Sequence, residues 1–520
     1  MKKRIVACPA CAAPVEFQLS TALVTVCGFC RSVVARGDKK FEDHGKVADL
    51  IETNSPIRRG ATGKYNNKSF EVIGRVQYQH PAGGVWNEWY LRFPADKLGW
   101  LAEAQGKFYL MFEKQFAEDA ALPSFDSLNV GARLELGKRG GFSVAEKGIA
   151  TSRSADGDIP WPFRQDAEHR FVDLHGDNEE FATLEFSEAR PRGFFGGRVS
   201  LAELNLDGDG SEMTAPAAAG SGALHLNCPH CAGPLTLHAP DESQRVTCPS
   251  CQGLLDCQQG KLQFLKTLNL PVVKPLIPLG SVGKLFGTEY TVIGFMERFA
   301  VWKGKRFPWT EYLLYNPAQG FRWLVRNKGH WSFVESVPIT KIKDRSDVRA
   351  TYEGTRFRLF DKGQAFVRYV VGEFYWRVTI DEKVDTIDYI APPQMLSIET
   401  TRGKQGQEMN ASLGTYLTVE TIESAFQLKE LLTRPFGVGT IQPLPSRADI
   451  WVMWICFASL LLLLDFIFAA GAVKKPVAPF HFYFAQVIVL AFPLVMWFGR
   501  RQFEVNRWSD SDFSPYESSG

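Results

Sequence analysis

Residues 8–30 read CPACAAPVEFQLSTALVTVCGFC, and residues 228–251 read CPHCAGPLTLHAPDESQRVTCPSC. Each stretch holds two Cys-x2-Cys knuckles: Cys8, Cys11, Cys27 and Cys30 in the first, Cys228, Cys231, Cys248 and Cys251 in the second. Two residues between cysteines let one tight turn aim both sulfurs at a single point. The gap between knuckles has the length of a β-hairpin that brings back a second turn. Four thiolates close a tetrahedron and leave no open position, so each quartet predicts a structural zinc site, two Zn2+ per chain. Disulfides within the quartets would instead need an oxidising compartment. MKKRIVACPAC at the amino terminus enters the first knuckle with no apolar run before it, which argues against secretion.

The two quartets belong to a duplication. Cys8 and Cys228 are 220 positions apart, as are Gly60 and Gly280, Lys64 and Lys284, and Gly74 and Gly294. RGATGKYNNKSFEVIGRVQY thus lies on LGSVGKLFGTEYTVIGFMER, and a shift of 223 lays WNEWYLRF on WTEYLLYN. Trp161 in GDIPW then matches Trp376 in GEFYW. A period this long means a copied domain, not a solenoid. The units read as zinc ribbon 1–36, linker 37–55, β-rich domain 56–205, flexible join 206–224, zinc ribbon 225–265 and β-rich domain 276–430.

Within each unit, short runs such as FEVIGRVQYQ, KFYLMFE, YTVIGFMERF and FVRYVVG alternate in polarity and are rich in β-branched and aromatic residues. Gly, Asn and Asp turns separate them. The fold class is therefore mainly β: two ribbons and two sandwich- or barrel-like domains. VSLAELNL and TVETIESAFQL read as one helix each at the domain ends, the second capped by Thr418. The formal net charge of +2 argues against a large nucleic-acid footprint.

No nucleophile elbow, metalloprotease helix or dinucleotide loop is present. Lys64 in GATGK lacks the spacing and the hydroxyl of a phosphate loop. The polar residues that match between copies are Glu88 with Glu311, Asp158 with Glu373, and Glu185 with Glu399. Glu88, Glu311, Glu373 and Glu399 are the candidate ligand-binding groups, set against a plainer role as ion-pair or turn-capping residues.

The shared pattern GxxG, VIG, W-x-E-[WY]-x-L, WL, G-[DE]-x-x-W and a late LE or IE resembles the bacterial domain of unknown function 4178, over roughly 56–205 and 276–430. That resemblance implies a domain combined with zinc ribbons and membrane segments. It brings no enzymatic activity.

The last stretch, IWVMWICFASLLLLLDFIFAAGAV from Ile450 to Val473 and FHFYFAQVIVLAFPLVMWF from Phe480 to Phe498, reads as a transmembrane hairpin before a polar tail at 499–520. Arg447, Arg500 and Arg501 on its outer flanks predict both termini inside, at an inner membrane. Asp465 is the intramembrane polar residue, expected to face the second helix, His481 or a partner subunit. The function expected is a membrane-anchored cytoplasmic binding or scaffold protein in a membrane-associated or envelope-stress complex. Its partners would be the bilayer, other proteins and a second copy. An enzyme or small-ligand domain built on the repeated Glu and Trp positions, and nucleic-acid binding through the ribbons, are the alternatives.

Overall fold

The computed structural model describes residues 4–516 outside 18–21, 37–40, 48–49, 51–54, 80–84, 105–106, 117–121, 137–139, 177–179, 188–189, 208–222, 241, 259–260, 303, 403–405, 429–431, 445–447 and 470–478. The first β-rich domain contains β1 (Lys68–Gln79), β2 (Val85–Arg92), β3 (Leu98–Ala104), β4 (Lys107–Lys114), β5 (Gly141–Ile159), β6 (Glu168–Gly176), β7 (Glu180–Glu185) and β8 (Arg192–Val199). The second repeats them as β9 (Thr288–Trp302), β10 (Lys305–Asn316), β11 (Gly320–Asn327), β12 (His330–Val337), β13 (Thr355–Phe374), β14 (Lys383–Ala391), β15 (Gln394–Arg402) and β16 (Gly406–Leu417).

Among the described residues each set closes into an eight-stranded antiparallel barrel. β1 to β4 form one meander and β5 to β8 another. The meanders join twice, β1 to β5 with Gly74 opposite Gly157, and β4 to β8 with Phe108 opposite Val199. The second barrel closes identically, β9 on β13 with Gly294 opposite Gly372, and β12 on β16 with Trp331 opposite Leu417. Of the two architectures expected, this is the barrel, whose closure removes the free edges of a sandwich. A short pairing of Glu146–Gly148 with Gly406–Glu408 links the copies.

The outer faces of the walls are apolar where other segments cover them. Outside the first barrel, Phe70, Trp89, Leu101 and Leu110 pack under Ile57 and Leu204 of α1 (Leu201–Leu204). Outside the second, Tyr290, Tyr312 and Trp331 pack under Ile422 and Phe426 of α2 (Val419–Phe426). Both helices start where the sequence places them: Ser200 forms a capping box with Glu203, and Thr418 accepts from the Thr421 N–H at 3.2 Å.

Each ribbon is docked edge-on to its barrel. Val24–Val26 adds to the end of β5 with Thr25 opposite Asp158, and Arg245–Thr247 adds to the end of β13 with Val246 opposite Glu373. The first ribbon's sheet runs on to Phe41–Lys46, which pairs with Ser32–Arg36, so part of the expected linker is ribbon strand. Where the ribbon strand ends, the backbones cross closely. A Cβ on Gly74 would lie 2.1 Å from the Asp158 carbonyl oxygen, and one on Gly294 would lie 2.4 Å from that of Glu373. Gly294→Ala is therefore expected to destabilise the second unit by about 1–3 kcal/mol, the usual cost of overpacking. Urea denaturation should detect it, with Gly363→Ala, whose Cβ meets nothing nearer than 4.0 Å, as the comparison.

The carboxy-terminal expectation is overturned. Among the described residues no helix is long and apolar enough to cross a membrane, so the two-span hairpin and the multi-pass inner-membrane placement are withdrawn. The chain forms α3 (Ala448–Ala469) and α4 (Pro479–Arg507). α4 does not stop at Phe498 but continues through Arg500, Arg501 and Glu504, so its apolar run is one part of a longer helix with a charged end. That end is fixed to the second barrel: the buried Arg507 guanidinium holds Glu504 at 3.0 Å and the Thr440 carbonyl at 3.0 Å, while Trp508 packs with Phe360, Ile390 and Ile441. Trp451 and Trp454 of α3 pack on Phe492 of α4 at ring separations of 5.6 and 5.7 Å. Asp465 falls in α3; its side chain and that of His481 lie outside the described set.

Candidate functional site

The quartets come together as their spacing predicts. Within each, the four sulfurs lie within 4.8 Å of one another, a cluster that could hold a metal ion. Cys8 and Cys30 approach to 3.7 Å, as do Cys11 and Cys27; the second ribbon's pairs stand at 3.9 Å. These separations are far beyond a disulfide bond of ~2.05 Å. They match the ~3.8 Å edge of a tetrahedron with ~2.3 Å metal–sulfur bonds. The four knuckles share one backbone device: the residue after the second cysteine, Ala12, Arg31, Ala232 or Gln252, has φ of 55–62°. This left-handed residue turns the chain back so that backbone N–H groups face the sulfurs, as Gly233 N–H does Cys231 Sγ at 3.4 Å. His230 is no ligand; its ring stacks on Phe264 at 4.2 Å.

The second site is the barrel interior. A continuous cavity of about 1220 Å³ is lined from both barrels. In the first its wall includes Trp86, Glu88, Trp100, Trp161, His169 and Glu185; in the second Arg298, Trp309, Glu311, Trp323, Asp388 and Glu399. Strand alternation accounts for this, since Trp86 and Glu88 share one face of β2 and Trp309 and Glu311 one face of β10. In the second barrel Arg298 donates to Glu311 at 3.2 Å and Glu399 at 2.8 Å, Trp309 Nε1 donates to Glu311 at 2.6 Å, and the guanidinium lies 5.7 Å from the Trp309 ring centre. Burial pulls the Arg298 pKa down, but Glu399 and Glu311 outweigh it and raise it above its ordinary value. In the first barrel burial also presses Glu185 toward its neutral form, and His169 at 3.3 Å with Arg192 at 3.7 Å overcomes it, leaving that carboxyl below its usual range.

Glu88 is different. Burial, then the charge of Glu185, push its pKa up to about 8, against weaker pulls from Trp86 and Tyr90. Asp388 in the second barrel is likewise raised by burial, to about 7. A carboxyl that holds its proton more tightly when folded stabilises the fold below the unfolded value of ~4.3 and loses that contribution as pH rises through the folded value. Stability is thus expected to fall between about pH 4.3 and 8, and Glu88→Gln to flatten that slope, as read by melting temperature against pH.

A model of the family described as Domain of unknown function (DUF4178) matches residues 58–201 and again 278–419, more than half of the chain. The chain belongs to the DUF4178 family. No curated protein matches it. Each DUF4178 domain is one of the barrels, with its ribbon ahead of it.

Of the four glutamates singled out, Glu88, Glu311 and Glu399 line the DUF4178 lumens, and Glu373 does not. Glu373 is 2% exposed at the ribbon junction, accepting from the N–H groups of His238 and Ala239 at 2.7 and 3.0 Å and from Ser243 Oγ at 3.0 Å. It ties the ribbon to the barrel. Glu373→Ala would orphan those donors, each costing about 1–3 kcal/mol, and should raise amide exchange over residues 238–247. Sequence reasoning missed Arg298, Asp388 and Tyr78. Arg298 was within reach: the shift of 220 that pairs Gly74 with Gly294 also pairs Tyr78 with Arg298. The exchange of an aromatic for a cation at that position is its signal.

Proposed function

We propose that this DUF4178 protein is a non-enzymatic binding protein whose paired barrel lumens receive a small molecule and whose ribbons are structural zinc modules. The observation that carries the reading is the cavity of about 1220 Å³ walled by tryptophans and enclosed carboxylates, larger than packing requires. Ligand sites are concave, mostly apolar and fitted with a few placed polar groups; Trp86, Trp100 and Trp161 with Glu88 are such a set. Zinc is favoured by four thiolates within 4.8 Å of one another, two edges of each quartet measuring 3.7–3.9 Å, a set that would fill a tetrahedral shell and leave no position for chemistry. The test of the lumen is a panel of small anionic, neutral and cationic aromatics and alkyl compounds added to the full chain. Binding to the folded state adds RT ln(1 + [L]/Kd) to its stability and so raises the melting temperature. At least one compound should do so in the native chain and lose the effect in Trp86→Ala; a panel with no effect on the native chain overturns the reading.

A further inference from the structure

The two lumens differ at the matching positions of Tyr78 and Arg298. In both barrels a tryptophan sits directly across from the strand-one residue in question: Trp86 opposite Tyr78, and Trp309 opposite Arg298. In both a glutamate follows two residues after the tryptophan, and a second glutamate, Glu185 or Glu399, stands on the seventh strand of the barrel. In the second barrel the space between these groups is filled from within: the Arg298 guanidinium touches Glu311 and Glu399 and lies over Trp309. The first barrel has kept the tryptophan and both glutamates and has a tyrosine in place of the cation.

Other cations of the first lumen do not take that role. Arg192 is committed to Glu113 by two N–H bonds of 2.9 Å, and reaches Glu185 at 3.7 Å. His169 also sits on Glu185. The groups with the largest influence on Glu88 are Glu185 from β7, Asp173 from β6, and Trp86 and Tyr90 from its own strand, none of them basic. Around it stand Tyr78, stacked on Trp86 at 5.2 Å, and Phe171, edge-on to Trp86 at 5.7 Å. Trp100, 5% exposed and on the cavity wall, has an indole N–H with no hydrogen-bond partner among the described residues, a donor left for a ligand oxygen.

We propose that the first barrel binds an organic cation, a guanidinium or ammonium head group, at Glu88 against the aromatic wall of Tyr78, Trp86 and Phe171, in the place that Arg298 fills in the second barrel. Aromatic faces and a carboxylate in a desolvated site are the general means of recognising such a head group. The inference rests on the lumen being a ligand site. Since the cation binds the ionised carboxylate, binding expels the Glu88 proton, and affinity climbs up to tenfold per pH unit until about pH 8.

The probe is propylguanidinium, an arginine side chain without its backbone, with propylurea as its neutral counterpart, titrated calorimetrically into the full chain. Propylguanidinium is expected to bind at one site per chain, at least tenfold more tightly than propylurea, with proton release below pH 8. Glu88→Gln should weaken it at least tenfold. Tyr78→Arg, which copies the second barrel's cation into the first, should abolish binding in a chain whose near-ultraviolet circular dichroism stays native. Arg298→Tyr, the reverse change, should raise the stoichiometry from one to two, which keeps the proposal testable should Glu88→Gln fail to fold. Equal binding of the two probes, or undiminished binding by folded Glu88→Gln or Tyr78→Arg, overturns it. If anionic or neutral compounds bind the lumen while propylguanidinium does not, the cation fails and the ligand site stands; if none binds, both fail.

Discussion

Arg298→Ala is expected to lower the stability of the second barrel by about 3–5 kcal/mol, the range seen when one member of a buried ion pair is removed. The magnitude follows from what is left behind. Glu311, 8% exposed, and Glu399 would face each other across the lumen with no cation between them. Glu311 already has its pKa raised by burial and by the Glu399 charge, opposed chiefly by Arg298. Without that opposition it takes up a proton, so the loss of stability should be largest at high pH and shrink as pH falls. Denaturant unfolding at pH 6 and pH 9 measures both effects. A triple change, Arg298→Met with Glu311→Gln and Glu399→Gln, should recover much of the loss, because replacing a whole buried charge cluster by neutral groups is far cheaper than breaking it. A single variant as stable as the native chain would show that the lumen is wet enough to solvate both carboxylates.

Cys228→Ser is expected to reduce bound metal from about two ions per chain to about one and to unfold the second ribbon while the first survives. A serine hydroxyl does not replace the thiolate, and a ribbon with so small a core folds on its metal: ligation supplies roughly 10–16 kcal/mol in comparable zinc modules. Leu235, Leu237, Val246 and Leu255 make up much of the apolar interior of this ribbon besides its cysteines. Metal analysis by plasma emission and amide exchange over residues 224–267 are the measurements. Cys257, a buried thiol outside the quartet, serves as the control, since Cys257→Ser should leave the metal content unchanged.

The ribbons and the copying of the unit were legible because they are local or repeated: a knuckle is four residues long, and a duplication is checked by laying the chain on itself. Strand character was legible from alternation at FEVIGRVQYQ and its copy. Closure was not, since it depends on Phe108 meeting Val199 and Trp331 meeting Leu417, contacts between residues far apart in sequence. Without closure there is no lumen, so Glu88, Glu311 and Glu399 could be singled out as repeated yet not set apart from Glu373, which repeats for the ribbon's sake. The carboxy-terminal misreading has a similar source. An apolar count over Phe480–Phe498 is blind to a helix that runs on to Arg507 and to the barrel surface that buries Arg507 and Trp508.

The order of strands also governs how fast such a unit can assemble. Each meander is a series of hairpins that can form early, but the seams β1 to β5 and β4 to β8 must wait for distant segments to meet, and topologies with many such contacts fold in milliseconds to seconds. The ribbon, short and gathered around four cysteines that could hold a metal ion, lies ahead of the barrel in the chain and lends a strand, Val24–Val26 or Arg245–Thr247, to the far end of β5 or β13. It can therefore be in place before the barrel closes, holding one end of the seam strand in register. Withholding metal during refolding should then slow closure more than it alters the finished barrel, a kinetic task for a module in which a shell of four thiolates would leave no position for chemistry.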